Sequence, residues 1–299
     1  MSERVWLASY PKSGNTWFRL LIGCLDLKDG ESVDVNETAA KGGIASARHP
    51  FDHTTLIESD LLTAEEVDLL RPRVYEALSQ GLEEEPEEAG QTRELEFVKA
   101  HDAYTLTSAG EPLLAGARGA RAAILIVRDP RDIVASLANH NQSTLDEAIA
   151  VMNDPAAALC ARTDRVHKQF RQIQLSWSGH TASWLDQRDI PVHLVQYEAM
   201  KQDTAAIFAE AMAFAGRPIS LEEAARAARL ADFSELQAQE RERGFGEKPP
   251  KTEAFFRKGR TGGWPEELTA DQVDRIEGAH APMMARLGYE PSLKLERAG

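Results

Sequence analysis

The sequence predicts an α/β fold, a single domain over residues 1–299 with a central parallel β-sheet flanked by helices. Strand-like runs recur at Val5–Ser9, Glu96–Ala100, Ala122–Val127 and Val192–Gln196, separated by long stretches of helical patterning. Ala122-Ala123-Ile124-Leu125-Ile126-Val127 is apolar throughout rather than alternating, as a strand covered on both faces requires. The first run ends in Tyr10-Pro11-Lys12-Ser13-Gly14-Asn15-Thr16, after which Trp17, Leu20, Leu21, Cys24 and Leu25 follow at helical spacing. Ligands of such a sheet gather at the strand C-terminal ends.

Strand, turn and helix at the N-terminus come in the order that aims backbone N–H groups at an anion. Lys12 adds a full charge, and Pro11, Ser13 and Gly14 fit a turn whose backbone must come close to its ligand. Thr16 supplies a hydroxyl near the helix start. The spacing is not the G-x-x-x-x-G-K-[ST] of nucleotide triphosphatases, because Lys12 precedes Gly14 instead of following a glycine. Further on, Thr63-Ala64-Glu65-Glu66 reads as a capping box opening a helix whose apolar face is Val67, Leu70, Val74 and Leu78.

At the end of the second strand Lys99 and His101 are two apart and so point to one side. An imidazole there can accept a proton near neutrality. The lysine beside it favours the neutral ring and can stabilise negative charge on a leaving group. Read alone, a strand-end histidine is more often a structural or surface residue. The third strand runs into Arg128-Asp129-Pro130-Arg131-Asp132, in which Asp129 caps a helix with Pro130 at its first position. Arg128 is left at the strand tip, where a guanidinium grips phosphate through two parallel bonds or else pairs with Asp129 or Asp132. Ser136 lies far enough along the helix to donate to the same ligand.

Tyr197-Glu198 follows the fourth strand, and Trp177 and Trp184 read as helix-core residues. Thr269-Ala270-Asp271-Gln272 opens a C-terminal helix with Val273, Ile276, His280, Met283 and Leu287 on one side and Pro282 as a kink. Residues 36–60, 139–165 and 236–258 look least regular and are the expected walls and lid of a site.

Composition narrows the function classes. With 42% hydrophobic and 27% charged residues the chain reads as an ordinary globular protein. No apolar run approaches the roughly 20 residues of a membrane span, and no basic region followed by a long apolar one opens the chain. A cytoplasmic protein with no membrane partner is expected. Cys24 and Cys160 match neither a disulfide framework nor a zinc site and are expected as free thiols; no metal-ligand spacing is present. The net charge of -14 argues against nucleic-acid binding. Part of it lies in Glu83-Glu84-Glu85-Pro86-Glu87-Glu88, read as a solvated loop. Against that background the segment Phe256-Arg257-Lys258-Gly259-Arg260-Thr261-Gly262-Gly263-Trp264 stands out. From Glu247 to Arg260, the cations Lys248, Lys251, Arg257, Lys258 and Arg260 outnumber Glu247 and Glu253.

Pro11-Lys12-Ser13-Gly14-x-Thr16-Trp17 closing a first strand resembles the P-loop-like phosphosulfate-binding loop of sulfotransferases that use 3′-phosphoadenosine 5′-phosphosulfate (PAPS). Three further segments resemble that family in its order. Lys99-Ala100-His101 is similar to its catalytic Lys-Thr-His, Arg128 to Ser136 to its 3′-phosphate motif, and Arg257 to Trp264 to its Arg-Lys-Gly-x-x-Gly-Asp-Trp segment, with Gly263 replacing the aspartate. The resemblance implies His101 as general base with Lys12 and Lys99 at the leaving group. It implies Lys12, Ser13, Gly14, Asn15, Thr16 and Trp17 at the 5′ end of the donor and Arg128, Ser136, Arg257, Lys258 and Gly259 at its 3′-phosphate. Tyr197 and Phe233, with Trp17, would hold the purine, although the contribution of Asn15, where the family often has threonine, is open. The expected reaction passes a sulfuryl group to a hydroxyl or amine of a small-molecule acceptor and releases 3′,5′-bisphosphoadenosine (PAP), without a metal. A nucleotide-dependent phosphotransferase and a non-catalytic nucleotide-binding protein are the alternatives. The family's dimer segment is degraded, Pro265, Ala270 and Asp274 replacing its lysine, valine and glutamate, so both monomer and homodimer stay open.

Overall fold

The computed structural model describes residues 3–28, 30–40, 42–80, 95–162, 167–249, 252 and 254–292. The acidic run at 83–88, together with Lys251 and Glu253, lies outside the described residues. Strand β1 (Arg4–Ser9) is buried along its length and turns at once into helix α1 (Asn15–Leu25). Helices α2 (Val35–Ala40), α3 (Arg48–Thr55) and α4 (Ala64–Gln80) follow. The expected box opens α4, with Glu66 N donating to Thr63 Oγ1 at 3.2 Å and Thr63 N to Glu66 Oε2 at 2.8 Å. β2 (Glu96–Ala100) and the fully buried β3 (Ala122–Val127) lead to α5 (Pro130–Asn141), whose cap is Asp129, accepting from Arg131 N.

Next come α6 (Leu145–Asn153), a short antiparallel pair β4 (Ala158–Leu159) and β5 (Gln172–Ile173), and α7 (Trp177–Asp186). β6 (Val192–Gln196) runs directly into α8 (Tyr197–Gln202), then α9 (Thr204–Ala215), α10 (Leu221–Leu230), α11 (Phe233–Arg243) and α12 (Ala270–Arg286). Among the described residues no helix is long and apolar enough to cross a membrane.

The four long strands pair in parallel in the order β2-β1-β3-β6. Successive β3 residues explain its unbroken apolar run. Ala123, Leu125 and Val127 pack in one core with Trp6, Trp177, Trp184 and Ile276, whereas Ile124 and Ile126 pack in another with Phe18, Leu21, Phe208 and Met212. The chain leaves β1 for β2 on one side and reaches β3 on the other, so the strand order reverses at β1. A crevice outside the carboxyl ends of the strands is the expected ligand site at such a point.

The three stretches expected as irregular are partly helical, and this corrects the sequence reading. They contain most of α2, all of α3 and α6, the C-terminal end of α5 and most of α11. Thr144 caps α6 through a full box with Glu147, a pattern of nearby residues that the sequence itself carries.

Candidate active site

A cavity of about 730 Å³ opens outside the carboxyl ends of β1, β2 and β3. Lys12, Gly14, Asn15, Thr16, Trp17, Lys99, His101, Arg128, Ser136, Tyr197, Phe233, Arg257, Lys258 and Gly259 all line it. Ser13 does not; it is buried, and among the described residues its Oγ has no hydrogen-bond partner.

The turn after β1 is tight. Lys12 has φ 70° and Gly14 has φ 108°, and a Cβ on Gly14 would stand 2.7 Å from Tyr197 Cδ2. Glycine is therefore required twice over, by backbone region and by contact. Asn15, whose part the sequence left open, ties the helix start to the strand: its Nδ2 donates to Leu7 O at 2.8 Å and to Ser9 Oγ at 3.2 Å. Lys12 Nζ lies 3.9 Å from the centre of the Phe255 ring. Burial, then Lys99 and Arg128, push its pKa down to about 8.

One end of the cavity is aromatic. Trp17 meets Tyr197 edge-on at 5.8 Å, and its Nε1 donates to Ala231 O at 3.0 Å. Lys201 Nζ stands over both Trp17 and Phe233, at 5.3 and 5.8 Å. Gly259, at φ 58°, is pressed so closely on Phe233 that a Cβ there would lie 2.4 Å from its Cε2.

Arg128 pairs with neither Asp129 nor Asp132 among the described ion pairs; it lies 4.5 Å over the Tyr197 ring and donates to Arg260 O at 3.0 Å, with Nε unpartnered. Asp132 instead accepts from Gly262 N at 2.6 Å and Trp264 N at 3.0 Å, which anchors the basic loop to α5. Asp129 is taken by Arg131, which also reaches Glu277. Arg257 and Lys258 converge on Glu267, a partner the count of charges along the sequence did not reveal.

His101 stands at the centre. Its Nδ1 is 2.8 Å from the Ser9 carbonyl, which can only accept, so Nδ1 carries the hydrogen and Nε2 the lone pair. Burial and then the neighbouring Lys99 hold its pKa well below the usual histidine value. Lys99 itself is lowered, chiefly by burial. The next residue, Asp102, forms a fully buried pair with Arg71 at 2.7 Å; Arg71 Nε donates to Tyr75 Oη at 2.9 Å.

In the sequence Glu247 is only one acidic residue beside a basic segment. In the fold its carboxylate accepts from Thr16 Oγ1 at 3.2 Å and Arg19 Nη1 at 2.8 Å and lies 3.5 Å from Lys99 Nζ. Burial opposes its ionisation, but Lys99 and Arg19 outweigh that and keep its pKa below the usual glutamate value. Among the described residues no group of three or more His, Cys, Asp or Glu side chains could hold a metal.

The model of the sulfotransferase domain matches residues 2–288. The chain belongs to the sulfotransferase family. Cytosolic sulfotransferase 17 of Arabidopsis thaliana is 22% identical over 285 residues, 91% of this chain and 72% of that one. The fold is similar to that of mouse sulfotransferase SULT7A1 complexed with PAP, with TM-score 0.57 and 20% identity over 95% of this chain and 86% of that one. It is also similar to retinol dehydratase in complex with androsterone and PAP, with TM-score 0.55 and 18% identity over 94% and 80% of the two chains. Both are sheet-and-helix folds of the kind the sequence predicts, and the chain is a sulfotransferase family enzyme.

Proposed function

We propose that this enzyme moves a sulfuryl group from PAPS to a hydroxyl or amine of a small molecule by in-line displacement, with His101 as general base. The observation that carries the reading is the tautomer of His101: the Ser9 carbonyl occupies Nδ1 and leaves a neutral Nε2 lone pair in the wall shared with Lys12 and Lys99. The family membership and the PAP held by the two similar solved structures support the donor.

The residues present fit that donor. Thr16, Lys12 and the N-terminus of α1 suit a 5′-phosphosulfate. Arg128, together with Ser136, Arg257, Lys258 and the Gly259 amide, suits a 3′-phosphate. Trp17, Tyr197 and Phe233 suit a purine ring.

PAPS supplies the sulfuryl group on an S–O bond whose oxygen belongs to a phosphate. His101 Nε2 takes the acceptor's proton as sulfur bonds to the acceptor oxygen, or to nitrogen in an amine, and the S–O bond to the phosphate breaks, while Lys12 and Lys99 neutralise the charge gathering on the departing phosphate oxygen. By analogy with phosphoryl transfer, positioning and electrostatics carry most of the catalysis.

His101→Ala tests the assignment. PAP affinity by calorimetry is expected to stay unchanged while sulfate transfer falls by roughly 10²–10⁴, the usual contribution of a general base. If wild type and His101→Ala bind PAP equally and neither transfers sulfate from PAPS to a panel of alcohols, the catalytic reading fails.

A further inference from the structure

The cavity that holds His101 contains another imidazole to which the reaction has given no task. His140 stands in the last turn of α5, four residues after Ser136, so the two share one face of the helix, and both line the cavity. The helix end is firmly placed. Asn139 Nδ2 donates to Ala254 O at 3.1 Å and Thr252 Oγ1 to Asn139 O at 3.3 Å, which ties it to the segment carrying Phe255. The Phe255 ring meets His140 edge-on at 6.4 Å and has Lys12 Nζ 3.9 Å from its centre. One ring thus seats both the histidine and the lysine of the loop after β1.

His140 Nδ1 is buried without a hydrogen-bond partner among the described residues; Nε2 is the nitrogen left accessible, and it faces the cavity. A buried unpaired N–H is costlier than a buried unpaired lone pair, so Nδ1 keeps the lone pair and Nε2 carries the hydrogen. Burial, then Lys12 and Lys99, push the pKa of the ring down to about 4, so it is neutral at working pH. Those are the two lysines set at the leaving group, and His140 in turn bears on the charge of His101. A neutral donor therefore stands among the groups that surround the sulfur in transit.

The rest of the donor is already met. Trp17, Tyr197 and Phe233 take the purine, Lys12 and Lys99 the departing oxygen, and Ser136 the 3′-phosphate, one turn back along α5, where four residues advance about 6 Å. The sulfuryl oxygens remain, and by analogy with phosphoryl transfer they hold charge through the transition state. A neutral N–H pairs with such an oxygen without adding a cation to a set in which Lys12 and Lys99 already hold their protons less tightly. We propose that His140 is a further catalytic residue, its Nε2 donating to a sulfuryl oxygen while the group moves. The S–O bond to the phosphate breaks as sulfur bonds to the acceptor, whose proton goes to His101; His140 gives up no proton. The inference rests on the sulfuryl-transfer reading.

PAP lacks the sulfuryl group that PAPS carries, and this separates catalysis from structure. Calorimetry gives the PAP affinity of wild type and of His140→Leu, and PAPS labelled in the sulfuryl group is turned over with water and with 2-naphthol as acceptors. The variant is expected to bind PAP as wild type does while kcat/KM for PAPS falls about tenfold, the equivalent of about 1.4 kcal/mol, by the same factor with both acceptors. His140→Phe, which keeps a ring beside Phe255, should show the same loss. His140→Gln, whose amide nitrogen reaches nearly as far as Nε2, should recover most of it. Unchanged kcat/KM for PAPS in the leucine and phenylalanine variants overturns the inference, as does a glutamine variant no better than they are. PAP affinity falling in step with turnover overturns it too, since the residue would then only shape the pocket. A loss confined to the KM for 2-naphthol makes His140 an acceptor contact and equally overturns it. A wild-type protein that does not bind PAP, or binds it yet releases neither inorganic sulfate nor naphthyl sulfate, removes the sulfuryl-transfer reading and this inference with it.

Discussion

Replacing Lys12 by methionine should make the ligand-free protein more stable at pH 7 while destroying its hold on PAP. The ammonium is held in a wall where burial, Lys99 and Arg128 lower its pKa from 10.5 to about 8, against a partial rescue by Glu247 and Glu240. A folded-state pKa below the unfolded value means that the unfolded chain binds the proton more tightly. The resulting destabilisation is fully present below pH 8 and disappears as pH rises toward 10.5. Lowering from 10.5 to about 8 corresponds to about 3.4 kcal/mol as an upper bound. Loss of the cation over the Phe255 ring takes back about 0.5–1 kcal/mol, and solvent screening at this partly exposed residue discounts the rest. A gain of about 1–2 kcal/mol remains, a few degrees in Tm for a chain of this size. Binding runs the other way. PAP should bind wild type with a dissociation constant that rises about tenfold between pH 7 and 9 as Lys12 loses its proton. Differential scanning fluorimetry at pH 7 and 10 and calorimetry across the pH range read both effects. A Lys12→Met protein less stable than wild type at pH 7, or one that keeps wild-type PAP affinity, refutes the reasoning.

Three further outcomes follow from the same geometry. Glu247→Gln removes a carboxylate from beside Thr16 and Lys99, so PAP should bind about fivefold more tightly at pH 6.5, on the order of 1 kcal/mol. Since Glu247 also raises the pKa of Lys12, the alkaline loss of affinity should begin at lower pH in this variant, which a calorimetric pH series reads directly. Gly259→Ala forces a side chain to within 2.4 Å of Phe233 at φ 58°, and PAP affinity should drop with little change in Tm if the loop shifts as a unit. Arg71→Met leaves Asp102 charged and buried, so urea unfolding should show a loss of about 3–5 kcal/mol.

The sheet was legible in the sequence because each strand is a short run with its own local signal. Three of the four predicted ranges coincide with the observed strands, and the first differs by one residue, Arg4. Caps were legible for the same reason, Asp129 with Pro130 and Thr269 with Gln272 being patterns of adjacent residues. Lys12, Lys99, His101 and Arg128 stand at strand ends that a parallel sheet brings together, and it was the resemblance of their segments to the family's motifs that singled them out. Glu247 could not. It meets Thr16 across 231 positions, and only the folded path of residues 244–249 brings it there. Glu267 is nine residues from Lys258, yet a charge count gives no direction, so the capture of both Arg257 and Lys258 by one carboxylate was invisible. The buried Arg71–Asp102 pair was hidden likewise, since neither residue is distinguished from its exposed neighbours by sequence alone.

The placement of these carboxylates answers how a chain of charge -14 can hold a polyanion. A cluster of partly buried cations with no counter-charge would repel itself and lose protons, and Lys12 has moved in that direction. Glu247 and Glu267 offset this for Lys99, Arg257 and Lys258, and Glu240 lies 3.7 Å from Lys248 while fixing Phe255 and Phe256 through their backbone N–H groups. An anion arriving at Arg257 and Lys258 therefore exchanges one carboxylate partner for another acid, and the net gain there is small. At Lys12 no such exchange is needed. Its ammonium rests on a ring, and an incoming phosphate both pairs it and raises its pKa. The electrostatic share of donor affinity should thus be concentrated at the loop after β1, with the basic loop near Gly259 contributing mainly geometry. In this fold the abundance of cations matters less than which of them already has a partner.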